Sequence, residues 1–318
     1  MTLARLVLWS GLVLLAVVSC GGDDDDGSPG AGAAGQAMAP PAPEGCVDDA
    51  SPGHHVYSCD EFAFDVEVPP ACLERACGLI LDVHGFSMNG AMEDANTEMR
   101  RRGRERGYVV IQPSANPEPP LSSWDENGAD DGIVFAMLER AQRVWHLDPR
   151  RVHVTGFSQG GNMTWRMLCQ HADVLASVAP AAFGDGCPFS ADGTPSREVP
   201  TLYMHGEDDG LVPFASALAA RDRVVAGWGM DGGQEIAGDA SFTRTRYLSA
   251  AGTPFEFLTH RYAVTETCLV LDIKGHCFPG STDPGTVTGQ ACSFACPGPS
   301  AFAWGEEVMA FFEAHPRP

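Results

Sequence analysis

A serine between two glycines, Gly156-Phe-Ser158-Gln-Gly160, is the part of this chain best suited to nucleophilic chemistry. Residues 152–155 before it have the composition of a short buried strand, and residues 162–171 after it carry apolar side chains at helical spacing. Such a turn needs glycine because a side chain at either flanking position would collide with neighbouring backbone. The segment therefore predicts Ser158 as a nucleophile on a strand-to-helix turn.

A serine hydroxyl needs a base to take its proton and a buried carboxylate to orient that base. Residues 201–205 form an apolar run that ends in the acidic loop Glu207-Asp208-Asp209, and Asp209 is the predicted acid, with Asp208 and Glu207 as alternatives. His276 follows a later apolar run and is the predicted base. Other histidines within predicted strands, including His205, are expected to be hydrogen-bonded core groups rather than proton carriers.

An oxyanion formed at the substrate carbonyl needs two backbone N–H donors. Gln159, directly after the serine, predicts one of them. Phe86 predicts the other, because it lies in the loop after the apolar strand 79–83 and follows Gly85, which lets the backbone approach the substrate. Trp124, in the loop after strand 108–112, is a candidate substrate-binding residue, and core packing is an equal alternative.

Strand and helix patterns alternate along the chain and predict an α/β fold with a doubly wound, mostly parallel sheet. Predicted strands are 62–68, 78–83, 108–112, 152–155, 175–179, 201–205 and 268–273, and predicted helices are 88–104, 130–145, 162–171, 214–228 and 303–314. The connection 180–200 is too short for a large lid. The predicted cleft is therefore open, which suits bulky or polymeric esters better than small soluble ones.

The N-terminus has the pattern of a secreted protein. Residues 1–19 combine one arginine with an apolar run too short to span a bilayer, which predicts a signal peptide. The ending Val-Val-Ser-Cys20 resembles the lipobox of bacterial lipoproteins, which implies a lipidated Cys20 and a membrane anchor, with an ordinary signal peptide as the alternative. Residues 20–45 are then a flexible linker, and residues 46–318 form the catalytic domain. The net charge of -22 opposes binding to nucleic acid.

Ten cysteines remain after Cys20, and an even number behind a secretion signal predicts disulfides. A zinc site using Cys292 and Cys296 is the weaker alternative, because no second suitably spaced pair exists. Cys277 adjoins the predicted base. Cys268 lies too far along a predicted strand to reach it, so Cys292 or Cys296 is its predicted partner.

The ordered motifs resemble the secreted polyhydroxybutyrate depolymerase and feruloyl esterase family of α/β-hydrolases over about residues 62–312. The resemblance is carried by His84-Gly85, Asp131, the segment 152–163, Ala179-Pro180, His205-Gly-x-x-Asp209-x-x-Val-Pro213 and Gly275-His-Cys-Phe-Pro-Gly280. It implies Ser158, Asp209 and His276 as a catalytic triad. This chain departs from the family where Lys274 replaces a glycine and Cys277-Phe278 replace Thr-Trp, and residues 226–267 are unlike the family.

The leading hypothesis is a serine carboxylic-ester hydrolase (EC 3.1.1 type) that works through an acyl-enzyme without cofactor or metal. The predicted site is extracytoplasmic, with no nucleic-acid partner and no evident obligate protein partner. A prolyl oligopeptidase-type serine peptidase is one alternative, although the chain has no room for a propeller domain. A non-catalytic binding protein with this fold is the other, although all three triad residues are present.

Overall fold

The computed structural model describes residues 40–184, 187, 189, 193–265, 271–285, 287 and 293–318. The predicted signal peptide, the predicted lipidation site Cys20 and most of the predicted linker lie outside these residues, as do Cys268 and Cys292. The Ala42 N–H donates to the Val144 carbonyl at 3.2 Å, so the described residues before Cys46 contact the end of the helix at 131–144.

Ten strands form one sheet in the order β1-β2-β4-β3-β5-β6-β7-β10-β9-β8. The strands are β1 (Gly53–Cys59), β2 (Phe62–Val68), β3 (Gly78–Val83), β4 (Tyr108–Ser114), β5 (Val152–Phe157), β6 (Ser177–Ala181), β7 (Thr201–Gly206), β8 (Gln234–Gly238), β9 (Phe242–Leu248) and β10 (Pro254–His260). The six from β4 to β10 pair in parallel, and the two outer strands on each side pair antiparallel. The predicted doubly wound, mostly parallel sheet is therefore confirmed.

Helices cover both faces of this sheet. They are α1 (Gly90–Thr97), α2 (Met99–Arg106), α3 (Asp131–Val144), α4 (Gln159–His171), α5 (Phe214–Gly227) and α6 (Trp304–Ala314). Successive side chains of β3 point to opposite faces of the sheet and so enter two different core clusters. Leu79 and Leu81 pack in the cluster under α3, α4 and α5. Ile80 packs in the cluster under α2 and α6. None of the helices in the described ranges has both the length and the apolar character needed to cross a bilayer.

Two predicted elements are wrong in detail. The helix expected over 88–104 is broken at Glu98, whose φ of 50° ends α1 and turns the chain into α2. The strand expected over 268–273 is absent from its described part, 271–273, and β10 is the neighbour of β7. The apolar side chains that suggested this strand have other roles, since Ile273 is buried in the core and Leu271 is partly exposed.

Four disulfides, each spanning fewer than 20 residues, occur among the described residues. The pairs are Cys46–Cys59, Cys72–Cys77, Cys169–Cys187 and Cys277–Cys296. The last pair confirms one of the two partners predicted for Cys277. Because Cys296 is bonded to Cys277, it is not available as half of a zinc site.

Candidate active site

Ser158 lies on the sharp turn between β5 and α4, with φ 55° and ψ −118°. A side chain at Gly160 would collide with the Val83 carbonyl, and one at Gly156 would lie 2.6 Å from the backbone of Gly160. The Ser158 N–H donates to the Ala181 carbonyl at 2.9 Å, which ties the turn to β6. The strained backbone at Ser158 is thus held by the packing that the glycines permit.

His276 and Asp209 form a buried pair, with Nδ1 of the imidazole 2.7 Å from Oδ2 of the carboxylate. The other carboxylate oxygen accepts the Leu211 and Val212 N–H groups at 2.9 and 2.7 Å. Burial disfavours the charge on Asp209, but the hydrogen bond and charge of His276, with the N–H of Val212, outweigh it and hold the pKa of Asp209 below its ordinary value. Asp209 is therefore a charged partner for the imidazole.

The two rival carboxylates have other surroundings. Glu207 accepts from Thr259 Oγ1 at 2.9 Å and pairs with Arg261 at 2.8 Å. Asp208 is exposed, and its backbone carbonyl accepts the Gly275 N–H at 2.9 Å. Among the three acids of the loop, Asp209 alone contacts His276 through its carboxylate in the described structure.

The loop that carries His276 is fastened on both sides. On one side Lys274, with φ 43°, forms an isolated bridge with Asp209, and the Gly275 N–H bonds to Asp208. On the other side the disulfide from Cys277 reaches Cys296, and the Phe278 N–H donates to the Phe294 carbonyl at 2.7 Å. These contacts fix the imidazole relative to the acid loop and to the segment before α6.

The two predicted oxyanion donors lie next to the nucleophile. Gln159 is the first residue of α4, where a backbone N–H has no acceptor within the helix. In the loop after β3, the Ser87 N–H donates to the Ser122 carbonyl and the Met88 N–H to the Gly85 carbonyl. The Phe86 N–H has no acceptor within the described residues, which leaves it available to a substrate.

His84 supports this loop, a role that its place in the sequence did not reveal. Its Nδ1 donates to the Gly85 carbonyl at 2.6 Å, and its Nε2 accepts the Ala115 N–H at 2.9 Å. Burial lowers the pKa of His84 to about 4, so the ring is neutral near neutral pH. A side chain at Gly85 would come within 3.1 Å of Cβ of Ser158, which explains the glycine there.

Trp124 does not line the cleft, and this candidate substrate-binding role needs correction. The side chain is 2% exposed, and its indole N–H donates to the His84 carbonyl at 2.9 Å. Its backbone N–H donates to Oε1 of Gln159 at 3.1 Å. Trp124 is buried because its polar N–H finds a partner in the oxyanion loop, and it joins that loop to the nucleophile turn.

One pocket contains the predicted nucleophile Ser158, the predicted base His276 and the predicted Phe86 donor. Its walls are Gly85, Phe86, Ser87, Phe157, Ser158, Leu211, Leu271, His276 and Phe294. Phe86 and Leu271 are 39% and 42% exposed at its mouth. Aside from the catalytic groups and Ser87 the wall is apolar, and Leu211, Leu271 and Phe294 belong to loops whose positions the sequence did not predict. No cluster of three potential metal ligands occurs among the described residues.

The parallel sheet, the nucleophile turn after β5 and the acid loop after β7 define the α/β-hydrolase fold. An acetyl xylan esterase from Aspergillus awamori shares it, with a TM-score of 0.53 and 14% identity over 63% of this chain and 88% of that chain. At this identity the likeness concerns the fold. No family model matches the sequence.

Among curated proteins the chain is similar to esterases. It is 27% identical over 46% of its length to a bifunctional acetylxylan esterase/xylanase of Neocallimastix patriciarum, and 26% identical over 46% to feruloyl esterase B of Piromyces equi. It is 24% identical over 70% of its length to poly(3-hydroxyalkanoate) depolymerase C of Paucimonas lemoignei. The matches span 21%, 28% and 59% of these relatives. The predicted resemblance is confirmed, and these relatives are carboxylic-ester hydrolases.

Proposed function

We propose that this protein is a serine carboxylic-ester hydrolase in which Ser158, His276 and Asp209 act together. The observation that carries the proposal is the 2.7 Å contact between His276 and a buried, charged Asp209 in a site whose pocket also contains the strained Ser158. The esterase relatives support it, and they do not favour the peptidase or the non-catalytic alternative.

The reaction proceeds through an acyl-enzyme. His276 takes the proton of Ser158 as its oxygen attacks the ester carbonyl, and Asp209 stabilises the imidazolium that forms. The N–H groups of Gln159 and Phe86 bind the oxyanion. The imidazolium then protonates the leaving alcohol, and water, activated by the same imidazole, releases the acid and regenerates the serine.

The substrates we propose are bulky or polymeric esters with an apolar group near the scissile bond. The apolar pocket wall fits such a group and offers no charged partner to a charged one. Relatives named for feruloyl ester, acetylxylan and poly(3-hydroxyalkanoate) hydrolysis support esters of polymers. The disulfides support an extracytoplasmic location.

The experiment that tests the activity uses p-nitrophenyl esters of increasing chain length beside an aminoacyl-proline anilide. The expected result is ester turnover by the wild type and none by a folded Ser158→Ala variant. Anilide cleavage without ester cleavage would favour a peptidase, and a folded wild type without either activity would contradict the proposal. Methyl ferulate, acetylated xylan and poly(3-hydroxybutyrate) then rank the natural substrate classes.

A lipid anchor at Cys20 is part of the proposal, and the Val-Val-Ser-Cys20 ending supports it. The mature protein is expected to begin at Cys20 with acyl mass and to sediment with membranes. Cys20→Ala is expected to abolish acylation and membrane association. Intact-mass measurement of the mature form decides this, and a mature protein beginning beyond Cys20 would exclude the anchor.

A further inference from the structure

The carboxylate of Asp209 faces two imidazoles. Its Oδ2 atom is 2.7 Å from Nδ1 of His276 and 3.4 Å from Nε2 of His205. The side chains of Asp209 and His205 are fully buried, and that of His276 is 2% exposed. The acyl-enzyme reaction uses His276 and assigns no task to the second histidine.

The protonation of His205 follows from its other contacts. Its Nε2 lies 2.9 Å from the Val212 carbonyl, which can only accept, so Nε2 carries the hydrogen. Its Nδ1 then accepts from the hydroxyl of Tyr203 at 3.2 Å. Burial raises the pKa of Tyr203 well above its ordinary value and lowers that of His205, so Tyr203 stays a donor and His205 stays neutral.

We propose that His205 is a positioning residue for the catalytic pair: its ring, held by Tyr203 at Nδ1 and by the Val212 carbonyl at Nε2, places the positive end of the Nε2–H dipole 3.4 Å from the carboxylate oxygen that His276 also contacts. This inference rests on the proposed function. The hydrogen is donated to Val212, and its dipole offsets part of the negative charge of the neighbouring carboxylate. Part of the charge on Oδ2 is therefore directed away from His276.

Loss of that N–H has a predictable sign. With the whole charge of Oδ2 directed at His276, the imidazolium is more stable, and a higher pH is needed to produce the free base. The acidic limb of kcat/KM therefore moves to higher pH. The carboxylate also becomes freer to rotate, which lowers kcat at every pH.

The other titratable groups near Asp209 and His276 do not account for the expected shift of the pH profile. His260, from β10, interacts electrostatically with His205, Asp209 and His276, but burial lowers its pKa to about 4, so it is neutral over the useful range. Glu207 is paired with Arg261, and Lys274 with Asp272. On the opposite side of His276, the rings of Phe157 and Phe294 carry no charge.

The test compares three variants at pH 5–9, with melting temperature as the measure of folding. His205→Phe removes both ring nitrogens and keeps a flat ring beside Tyr203 and Phe214. His205→Gln keeps an N–H near the position of Nε2. His153→Phe is the matched control, because His153 is equally buried but bonds to Ser177 at 2.8 Å, in β6, and not to the catalytic carboxylate.

For His205→Phe the expected result is an acidic limb raised by about 0.5–1 pH unit and a kcat lowered roughly tenfold. His205→Gln should restore most of the wild-type pH profile and most of the wild-type kcat. His153→Phe should change only the melting temperature. The inference is overturned if folded His205→Phe keeps the wild-type profile, or if His153→Phe shifts the profile equally.

A second measurement works without turnover. The downfield proton NMR signal of His276 Nδ1–H reports its protonation during a pH titration in the Ser158→Ala background. An upward shift of this titration on adding His205→Phe supports the inference, and no shift refutes it. A folded wild type without esterase activity would contradict the proposed function alone, because the titration still measures the contact between His205 and Asp209.

Discussion

Asp209 and Asp82 are both buried carboxyl groups, and their surroundings move their pKa values in opposite directions. Asp209 accepts two backbone N–H groups and an imidazole N–H, and its pKa is held below the ordinary value. Asp82, near the end of β3, accepts from Thr97 and Gln112 at 2.9 and 2.8 Å but faces the buried Glu93. Burial raises the pKa of Asp82 to about 6 and that of Glu93 well above its ordinary value.

The difference teaches that burial alone does not decide the charge of a carboxyl group in this fold. Donors arranged around Asp209 replace the water that it loses, and a nearby base supplies positive charge when needed. At Asp82 an ionisable neighbour is the buried Glu93, whose pKa is raised by burial and by the charges of Asp82 and Asp94. The surroundings of Asp209 favour its charged form, and those of Asp82 and Glu93 favour their protonated forms.

Replacing the charged acid should have the largest effect. Asp209→Asn removes the charge that stabilises the imidazolium of His276, and kcat should fall by about 10⁴-fold. The matched control is Asp208→Asn, one residue away and exposed, which should stay near wild type. Steady-state kinetics on a p-nitrophenyl ester measure both, and a larger loss in Asp208→Asn would transfer the role of acid to that residue.

Replacing Asp82, the acid whose pKa is raised, should change the stability of the protein rather than its reaction rate. An acid whose pKa is raised on folding binds more protons in the folded state, so the free energy of unfolding falls as pH rises from about 4 to about 6. Since the pKa of Asp82 rises by roughly two units, its share of that fall is about 3 kcal/mol.

Asp82→Asn should therefore flatten the fall in stability across this pH window, as measured by urea unfolding at several pH values. Asp222→Asn is the control, because Asp222 is 67% exposed and pairs with Arg221 at 2.7 Å. An unchanged slope in Asp82→Asn would show that Asp82 is ionised at acidic pH in the folded protein, as Asp209 is.

The smallest effect should come from loosening the loop that holds His276 against Asp209. Mild reduction of Cys277–Cys296 should lower activity up to about tenfold before the fold is lost, because small displacements of a base are costly in rate. The double variant Cys277→Ala, Cys296→Ala should reproduce this loss, and Cys72→Ala, Cys77→Ala should not. Native peptide mapping that finds Cys277 alkylated would contradict the premise.

Features fixed by local sequence could be predicted best. The glycines around Ser158 are required by close backbone contacts, and buried parallel strands such as β3 are continuous apolar runs. The proximity of Ser158 and Asp209 could be predicted as well, because they follow β5 and β7 at one edge of a parallel sheet, whereas His276 follows no strand in the described residues.

Features that depend on tertiary contacts could not be predicted. The break at Glu98 and the burial of Trp124 depend on neighbours distant in sequence. The apolar run before His276 resembled a strand, yet Leu271 lines the pocket and β10 occupies the position beside β7. The contact of His205 with Asp209 could not be predicted, because an imidazole in a strand gives no signal of which carboxylate it will face.

Lys274, which bridges to the acid loop, is the only lysine in the sequence. Its side chain is 44% exposed and stands two residues before His276. Apart from the N-terminal amine, reagents that couple to primary amines will therefore modify this protein two residues from the predicted base. Attachment to an aldehyde or succinimidyl ester support would therefore place the pocket near the support, and carboxyl-directed coupling or a terminal tag would avoid this.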